Sequence, residues 1–445
     1  MASVAAALKD AGRQVTGSDH QFYPPTSTLL TDKGIDAREG FNPDNLDPAP
    51  DMVVIGNAIS RGNPEAEAVL NLKLPFTSLP EFLKYFFIQG KRSLVVSGTH
   101  GKTTVTSLLA WVFDHNQKNP SFLIGGMPEN FDYGARLTEG EWFIIEGDEY
   151  DTAFFDKRSK FLHYLPEVAI INNLEFDHAD IFSSLEEIQK SFTHFTRLIP
   201  QKGLLLANGD DPNLITVLKD SPCPVQRFGL GPNNDVRPDE VQLNPEDSVF
   251  RIRNFKFRIP MVGEANVRNA LSVVACARHC GLTNEEIQSA FLTFKGIKRR
   301  LEIRGIRREV AVVDDFGHHP TAIRESLRAL RIKYPRGRIW AIFEPRTNTT
   351  RRNILQTELT QALAAADVTV LTPIAREELL RPEERLNPEQ IIGELKKSGR
   401  EAHYLRDANA IVTEMTPLTR PGDVLCVFSN GGFDDIHEKL LNKLV

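Results

Sequence analysis

Cysteine is sparse in this chain: 445 residues include four, at positions 223, 276, 280 and 426. So few, so scattered, they exclude a disulfide framework and a CxxC zinc pair and imply a reducing compartment. Cys276 and Cys280 stand one helical turn apart around His279, which reads as a buried small-residue face rather than a metal site. Long apolar runs are missing too. None approaches the roughly 18 residues of a membrane span, and the Ala-rich start meets Lys9-Asp10 without a basic leader, so a cytoplasmic protein with no membrane partner is expected. An excess of positive charge is also absent: 53 Lys+Arg against 59 Asp+Glu leave −6, which argues against nucleic acid as the main partner. The basic stretches Lys298-Arg299-Arg300 and 304–308 lack interleaved aromatics, so they read as solvated or phosphate-facing. There is no Gly-x-Ser-x-Gly elbow, no His-Glu-x-x-His and no cysteine with an obvious base. Covalent hydrolase chemistry therefore lacks support.

What is present is ordinary globular material, 41% hydrophobic and 25% charged, long enough for about three domains at roughly 150 residues each. Short β-rich runs alternate with amphipathic helical stretches, the pattern of βαβ units and parallel sheets, so the fold class is α/β. A first block, 1–92, opens on a helix at 2–11, with no strand or glycine-rich turn ahead of it, and places polar turns after strands at 14–19 and 52–57. A second, 93–297, carries a buried strand at 93–97, a helix at 105–113, a small antiparallel insertion within 229–260 and a helix at 267–279. A third, 298–445, offers strands at 309–313, 338–343, 367–371 and 423–428 and reads as a second Rossmann-like domain.

The strongest local signal is Ser93-Leu94-Val95-Val96-Ser97 running into Gly98-Thr99-His100-Gly101-Lys102-Thr103-Thr104 and a helix. Glycines let backbone N–H groups curl round phosphate oxygens, the helix N-terminus adds its positive end, Lys102 reaches the outer phosphates and the Thr103 hydroxyl can face Mg²⁺. The loop is a shortened P-loop, because the first glycine of the general motif would fall at Val96. Two further strands end in chemistry-bearing residues: one leads into Glu146-Gly147-Asp148-Glu149, the other into Asn172-Asn173 and then Asp177-His178. In an open parallel sheet ligands sit beyond the carboxyl ends of the strands, so these residues should converge on the phosphate loop, Glu146 and His178 as metal ligands. Asp315, in Asp314-Asp315-Phe316-Gly317-His318-His319-Pro320, is placed to face a nucleotide; adjacent histidines on an extended chain point opposite ways and make no metal pair.

Taken together, these segments resemble the Mur ligases, the ATP-dependent amide-forming ligases of cell-wall synthesis, over essentially the whole chain and in family order. The resemblance implies three domains: an N-terminal UDP-sugar-binding, Rossmann-like one whose first strand is missing here, a central P-loop ATPase-type sheet and a C-terminal Rossmann-like peptide-binding one. It implies ATP and Mg²⁺, with Lys102, Glu146 and His178 catalytic, Thr103 beside the metal, Asn266 and Asn269 on the adenine side, and Arg300 and Asp315 on the nucleotide. It also implies small-molecule substrates. Asp-Asp-Phe-Gly-His-His-Pro is similar to the branch that takes UDP-N-acetylmuramate directly. The stretches 146–161, 172–182 and 429–437 point to the murein tripeptide L-alanyl-γ-D-glutamyl-meso-diaminopimelate as acceptor, with L-alanine as the alternative and a non-catalytic nucleotide-binding relative as a further one. Ser18, Asp19, Asn57 and Ser60 are candidate UDP-sugar contacts. Arg346, Ser429 and Asn430 are candidate peptide contacts, since a long anionic substrate calls for a fixed cation at its carboxylate.

Overall fold

In a computed structural model, which describes residues 1–22 and 26–444, the chain packs as two units. The first holds Met1–Phe176, Ser184–Arg237 and Asn269–Phe294; the second holds Asp177–Ser183, Pro238–Arg268 and Lys295–Val445.

Leu94, Val95 and Val96 are fully buried, as a strand covered on both faces must be. Their strand, Arg92–Ser97, is the centre of a seven-stranded sheet in the first unit. On one side lie Val168–Ile171, Leu204–Asn208 and Val225–Phe228; on the other lie Trp142–Gly147, Ser121–Leu123 and Ala135–Arg136, and only the last is antiparallel. The chain lays down Ser121–Leu123 and the edge strand Ala135–Arg136, returns with Trp142–Gly147 beside the central strand, then crosses to Val168–Ile171. That reversal makes the carboxyl end of Arg92–Ser97 the topological switch point. The helix Lys102–His115 is longer than the apolar run 105–113 suggests, because it starts where Gly101 (φ 80°) turns the chain. It packs on the sheet with Phe113 edge-on to Trp142 at 5.0 Å.

The N-terminal part of this unit begins with the helix Ala2–Asp10 and contributes two parallel strand pairs, Thr16–Asp19 with Asp36–Glu39 and Val53–Ile55 with Phe76–Ser78. They form separate ladders rather than one continuous sheet. The helix Pro64–Leu72 is started by Asn63, whose Oδ1 accepts the N–H groups of Glu65 and Ala66 at 3.0 and 3.1 Å.

The second unit is built on a six-stranded sheet in the order Glu302–Arg307, Val310–Asp315, Val424–Phe428, Ile339–Phe343, Val368–Leu371, Glu401–Tyr404, parallel except for the first. Both faces are covered, one by a cluster that includes Ile323, Leu327, Leu359 and Ile391, the other by one that includes Ile411, Met415, Ile436 and Leu440. The antiparallel insertion is present as Glu240–Leu243, Ser248–Ile252 and Phe255–Ile259. Among the described residues no helix is long and apolar enough to cross a membrane.

Phe113, near the far end of the helix that begins at the phosphate loop, is fully buried. Phe113→Ala should destabilise the protein by about 3–5 kcal/mol, read as an earlier urea midpoint for the transition monitored at Trp142; a loss below about 1 kcal/mol would contradict this packing.

Candidate active site

Strand register assembles the site in the first unit. Val96 pairs with Glu146 and Ser97 with both Gly147 and Ile171, so the loop after Ser97, the acids after Ile145 and the asparagines after Ile171 leave the sheet side by side. Gly98 (φ 125°) and Gly101 (φ 80°) are the positions where only glycine fits: a Cβ would stand 2.9 Å from the Asn173 carbonyl oxygen at the first and 2.7 Å from both Asn172 Nδ2 and Asn269 Oδ1 at the second. Asn173 shapes the loop from below. Its carbonyl accepts the Thr99 N–H at 3.1 Å and its Oδ1 accepts the His100 N–H at 2.7 Å. Glu175 extends that support, 2.7 Å from the His100 ring.

Lys102 is nearly buried, and its ammonium donates to the Gly98 carbonyl at 2.7 Å and to the Glu149 carboxylate at 2.9 Å. Burial alone would favour its neutral form, yet Glu149, Asp148 and Glu146 outweigh burial and hold its pKa above the ordinary lysine value. The Glu146 carboxylate accepts the Thr103 hydroxyl at 2.9 Å and the Gly125 N–H at 2.7 Å. Burial pushes its pKa up, Asp148 adds to the push, and Lys102, the Gly125 N–H and the Thr103 hydroxyl oppose it. One carboxylate thus contacts the ammonium and two more act on it through their field, beside a buried hydroxyl. Hard oxygen donors with excess negative charge are the chemistry of a divalent-cation site, and the Thr103 hydroxyl and the Glu146 carboxylate fit a magnesium ion.

Gly98, Thr99, His100, Gly101, Lys102, Thr103, Thr104, Glu146 and Asn269 all lie in this unit, and Asn269 approaches Asn172 at 3.3 Å. At the N-terminal strand ends the Ser18 hydroxyl donates to Glu65, Asp19 accepts the His20 N–H at 2.7 Å, and Asn57 and Ser60 are exposed.

His178, Asn266, Arg300, Asp315, Arg346, Ser429 and Asn430 lie in the second unit. His178 holds a left-handed backbone (φ 55°), and its N–H donates to the buried Asp177 carboxylate at 2.8 Å, which also accepts the Thr349 hydroxyl at 2.6 Å. Asn266 donates to the Val262 carbonyl at 2.9 Å. Asp315 is buried, and its carboxylate accepts the N–H groups of Leu301 at 2.9 Å and Gly317 at 2.7 Å. Burial raises its pKa against the opposing field of Arg300, whose guanidinium lies 5.2 Å from the Phe316 ring. Arg346, Ser429 and Asn430 gather at strand ends: Glu344 accepts the Ser429 hydroxyl at 2.5 Å and lies 3.5 Å from Arg346, which packs against Gly431, while the buried Asn430 Oδ1 has no partner.

Sequence reasoning missed Glu149 as the partner of Lys102, Asn173 and Glu175 as supports of the loop, and Asp177 and Thr349 around His178. For Glu149 the signal was its place three residues beyond a strand-end acid. For Thr349 there was none, because it is 172 residues from Asp177.

Three family descriptions match the chain in order: Mur ligase family, catalytic domain, at residues 1–90; Mur ligase middle domain at 96–277; and Mur ligase, glutamate ligase domain, at 299–431. The UDP-N-acetylmuramate–L-alanyl-γ-D-glutamyl-meso-2,6-diaminoheptandioate ligase of Escherichia coli K12 is 40% identical over 448 residues, covering 100% of this chain and 96% of that protein. The UDP-N-acetylmuramate–L-alanine ligase of Acetivibrio thermocellus is 32% identical, covering 99% and 93%. The crystal structure of a murein peptide ligase from Psychrobacter arcticus superposes with a TM-score of 0.74 at 34% identity, covering 99% of this chain and 96% of that one. With a glycine-shaped loop at the switch point of a parallel sheet, a lysine held among acids beside it, and these likenesses along its whole length, the chain belongs to the Mur ligase family.

Proposed function

We propose that this chain joins UDP-N-acetylmuramate to the tripeptide L-alanyl-γ-D-glutamyl-meso-diaminopimelate, using ATP. The observation that carries the reading is the full-length identity of 40% to a ligase of that name, on a chain whose loop keeps Lys102 among three carboxylates. In this reading, residues 1–92 take the UDP-sugar, 93–297 the ATP and 298–445 the peptide. Ser18, Asp19, Asn57 and Ser60 would contact the UDP-sugar; Asn266 and Asn269 the adenine; Arg300 and Asp315 the rest of the nucleotide; Arg346, Ser429 and Asn430 the peptide.

The chemistry needs no protein nucleophile. An oxygen of the lactyl carboxylate attacks the γ-phosphorus of ATP, ADP leaves, and an acyl phosphate forms. The tripeptide's amine then attacks the acyl carbon, loses a proton, and the phosphate departs. Backbone N–H groups of 98–104 cradle the phosphates, and Lys102 turns its ammonium from Glu149 toward the transferring group. Glu146, His178 and Thr103 would hold magnesium, which when bound supplies charge neutralisation for that group.

With ATP and Mg²⁺, phosphate release and a ligated product of the right mass are expected from UDP-N-acetylmuramate plus tripeptide, and from neither L-alanine nor an acceptor-free mixture. Turnover with L-alanine alone would establish instead the reading favoured by the 32% likeness to an L-alanine ligase; ATP binding without turnover would indicate a nucleotide binder.

Lys102→Ala should lower turnover by at least about 10²–10³-fold. It should also cost about 3–5 kcal/mol of stability, because Glu149 is left buried without its cation. Adding Glu149→Gln should restore much of the stability, read by thermal unfolding, and none of the activity. Activity near wild type in either variant would contradict the role given to Lys102.

A further inference from the structure

Arg351 is out of keeping with its surroundings in the second unit. Its side chain is 7% exposed and carries a charge that it cannot lose, yet among the described residues no carboxylate pairs with it. Its neighbours are paired: Arg352 meets Glu384 at 3.0 Å and Arg385 meets Glu377 at 3.9 Å. Arg351 instead donates to the carbonyls of Ala375 and Arg376, both at 3.3 Å, and to Asn348 Oδ1, while its Nε has no acceptor. Burial opposes its charge first, Arg376 and Arg352 add repulsion, and Asp180 and Glu378 offset part of this without contacting it.

The place is as telling as the imbalance. Arg351 is set in the segment that follows Ile339–Phe343, and the segment after Val368–Leu371 is stitched to it by Ala375 N–H to Pro345 O at 3.1 Å and Leu386 N–H to Arg351 O at 2.9 Å. Both segments leave the carboxyl edge of the sheet, where open α/β folds take their ligands. Thr372, at the end of Val368–Leu371, has a buried hydroxyl without a partner. Arg376 is exposed and holds a left-handed backbone (φ 53°), the conformation in which its carbonyl meets Arg351.

A buried cation that no carboxylate contacts is accounted for when a pairing anion arrives from outside. We propose that Arg351 and Arg376 form the seat for a diaminopimelyl carboxylate of the peptide acceptor, with Arg376 at the entrance and Arg351 behind it; this rests on the tripeptide-ligase reading above. A guanidinium fork suits a planar carboxylate and fixes its orientation.

The test is steady-state ligation by the full chain, comparing Arg376→Ala and Arg351→Lys with wild type, on the tripeptide and on the same tripeptide amidated at its diaminopimelyl carboxyls. Loss of a charge-assisted hydrogen bond corresponds to roughly tenfold or more. Each substitution should therefore raise the tripeptide KM by about that factor, leaving kcat and the KM values for ATP and UDP-N-acetylmuramate within about twofold. The amidated peptide should bind wild type as weakly as the acid binds Arg376→Ala, and should be indifferent to that substitution. A tripeptide KM unchanged in Arg376→Ala overturns the seat, and so does an amide that binds wild type like the acid. Arg376 is exposed, so its variant decides the matter even if Arg351→Lys does not fold. Inorganic phosphate competing through Arg376 while the tripeptide KM stays put would also overturn it, by assigning the site to phosphate. Wild type that ligates no tripeptide removes the underlying reading and the seat together; wild type that ligates it while the variants behave normally sinks the seat alone.

Discussion

One ammonium group held among three carboxylates is the constraint from which the site follows. The field of Glu149, Asp148 and Glu146 keeps Lys102 charged in so buried a position, and Lys102, with Lys160 3.5 Å from Asp148, balances those acids in turn. The sheet brings them to one place: Arg92–Ser97 and Trp142–Gly147 run parallel and in register, so the loop and the acids emerge at the same level. Excess negative charge in that pocket repels a bare polyphosphate. In the proposed reading a nucleotide arriving with a divalent cation would bring the compensating charge, and the ammonium would exchange a carboxylate for a phosphate oxygen. Nothing in this cycle requires a covalent bond to the protein, in keeping with a sequence without a recognisable nucleophile.

The second unit follows the same architectural rule with different residues. Its parallel strands end in Asp315, Glu344, Thr372 and Ser429, and the segments beyond them carry Arg346, Arg351 and Arg376. Basic groups in the segments beyond the strands of this unit and acidic groups at the strand ends of the first suit different ligands, an anion in one case and a divalent cation in the other.

The parts of the fold legible in the sequence were those dictated by burial and by glycine. Leu94-Val95-Val96 could only be a covered strand, and Gly98 and Gly101 announced the turn that the backbone angles require. The two edge strands of the C-terminal sheet were missed, because Glu302–Arg307 and Glu401–Tyr404 each show a face to solvent and are too polar to stand out from loops. Of the four N-terminal strands, Thr16–Asp19 and Val53–Ile55 were readable, whereas their partners Asp36–Glu39 and Phe76–Ser78 were missed, and the pairing into separate ladders depends on long-range register that short polar runs do not encode. At the site, the residues of the contiguous loop were readable. Its supports Asn173 and Glu175, and the Asp177–Thr349 bond beneath His178, arise from chain crossings that no local pattern reveals.

In the proposed mechanism, carboxylate activation by phosphoryl transfer, organised around Lys102, precedes amide formation. It is tested most directly by running the ligation with UDP-N-acetylmuramate labelled with ¹⁸O in its lactyl carboxylate and weighing the released phosphate by mass spectrometry. An acyl phosphate requires that one carboxylate oxygen leave with the phosphorus, so the account predicts phosphate carrying a single ¹⁸O per turnover. Unlabelled phosphate alongside normal amide product would contradict it.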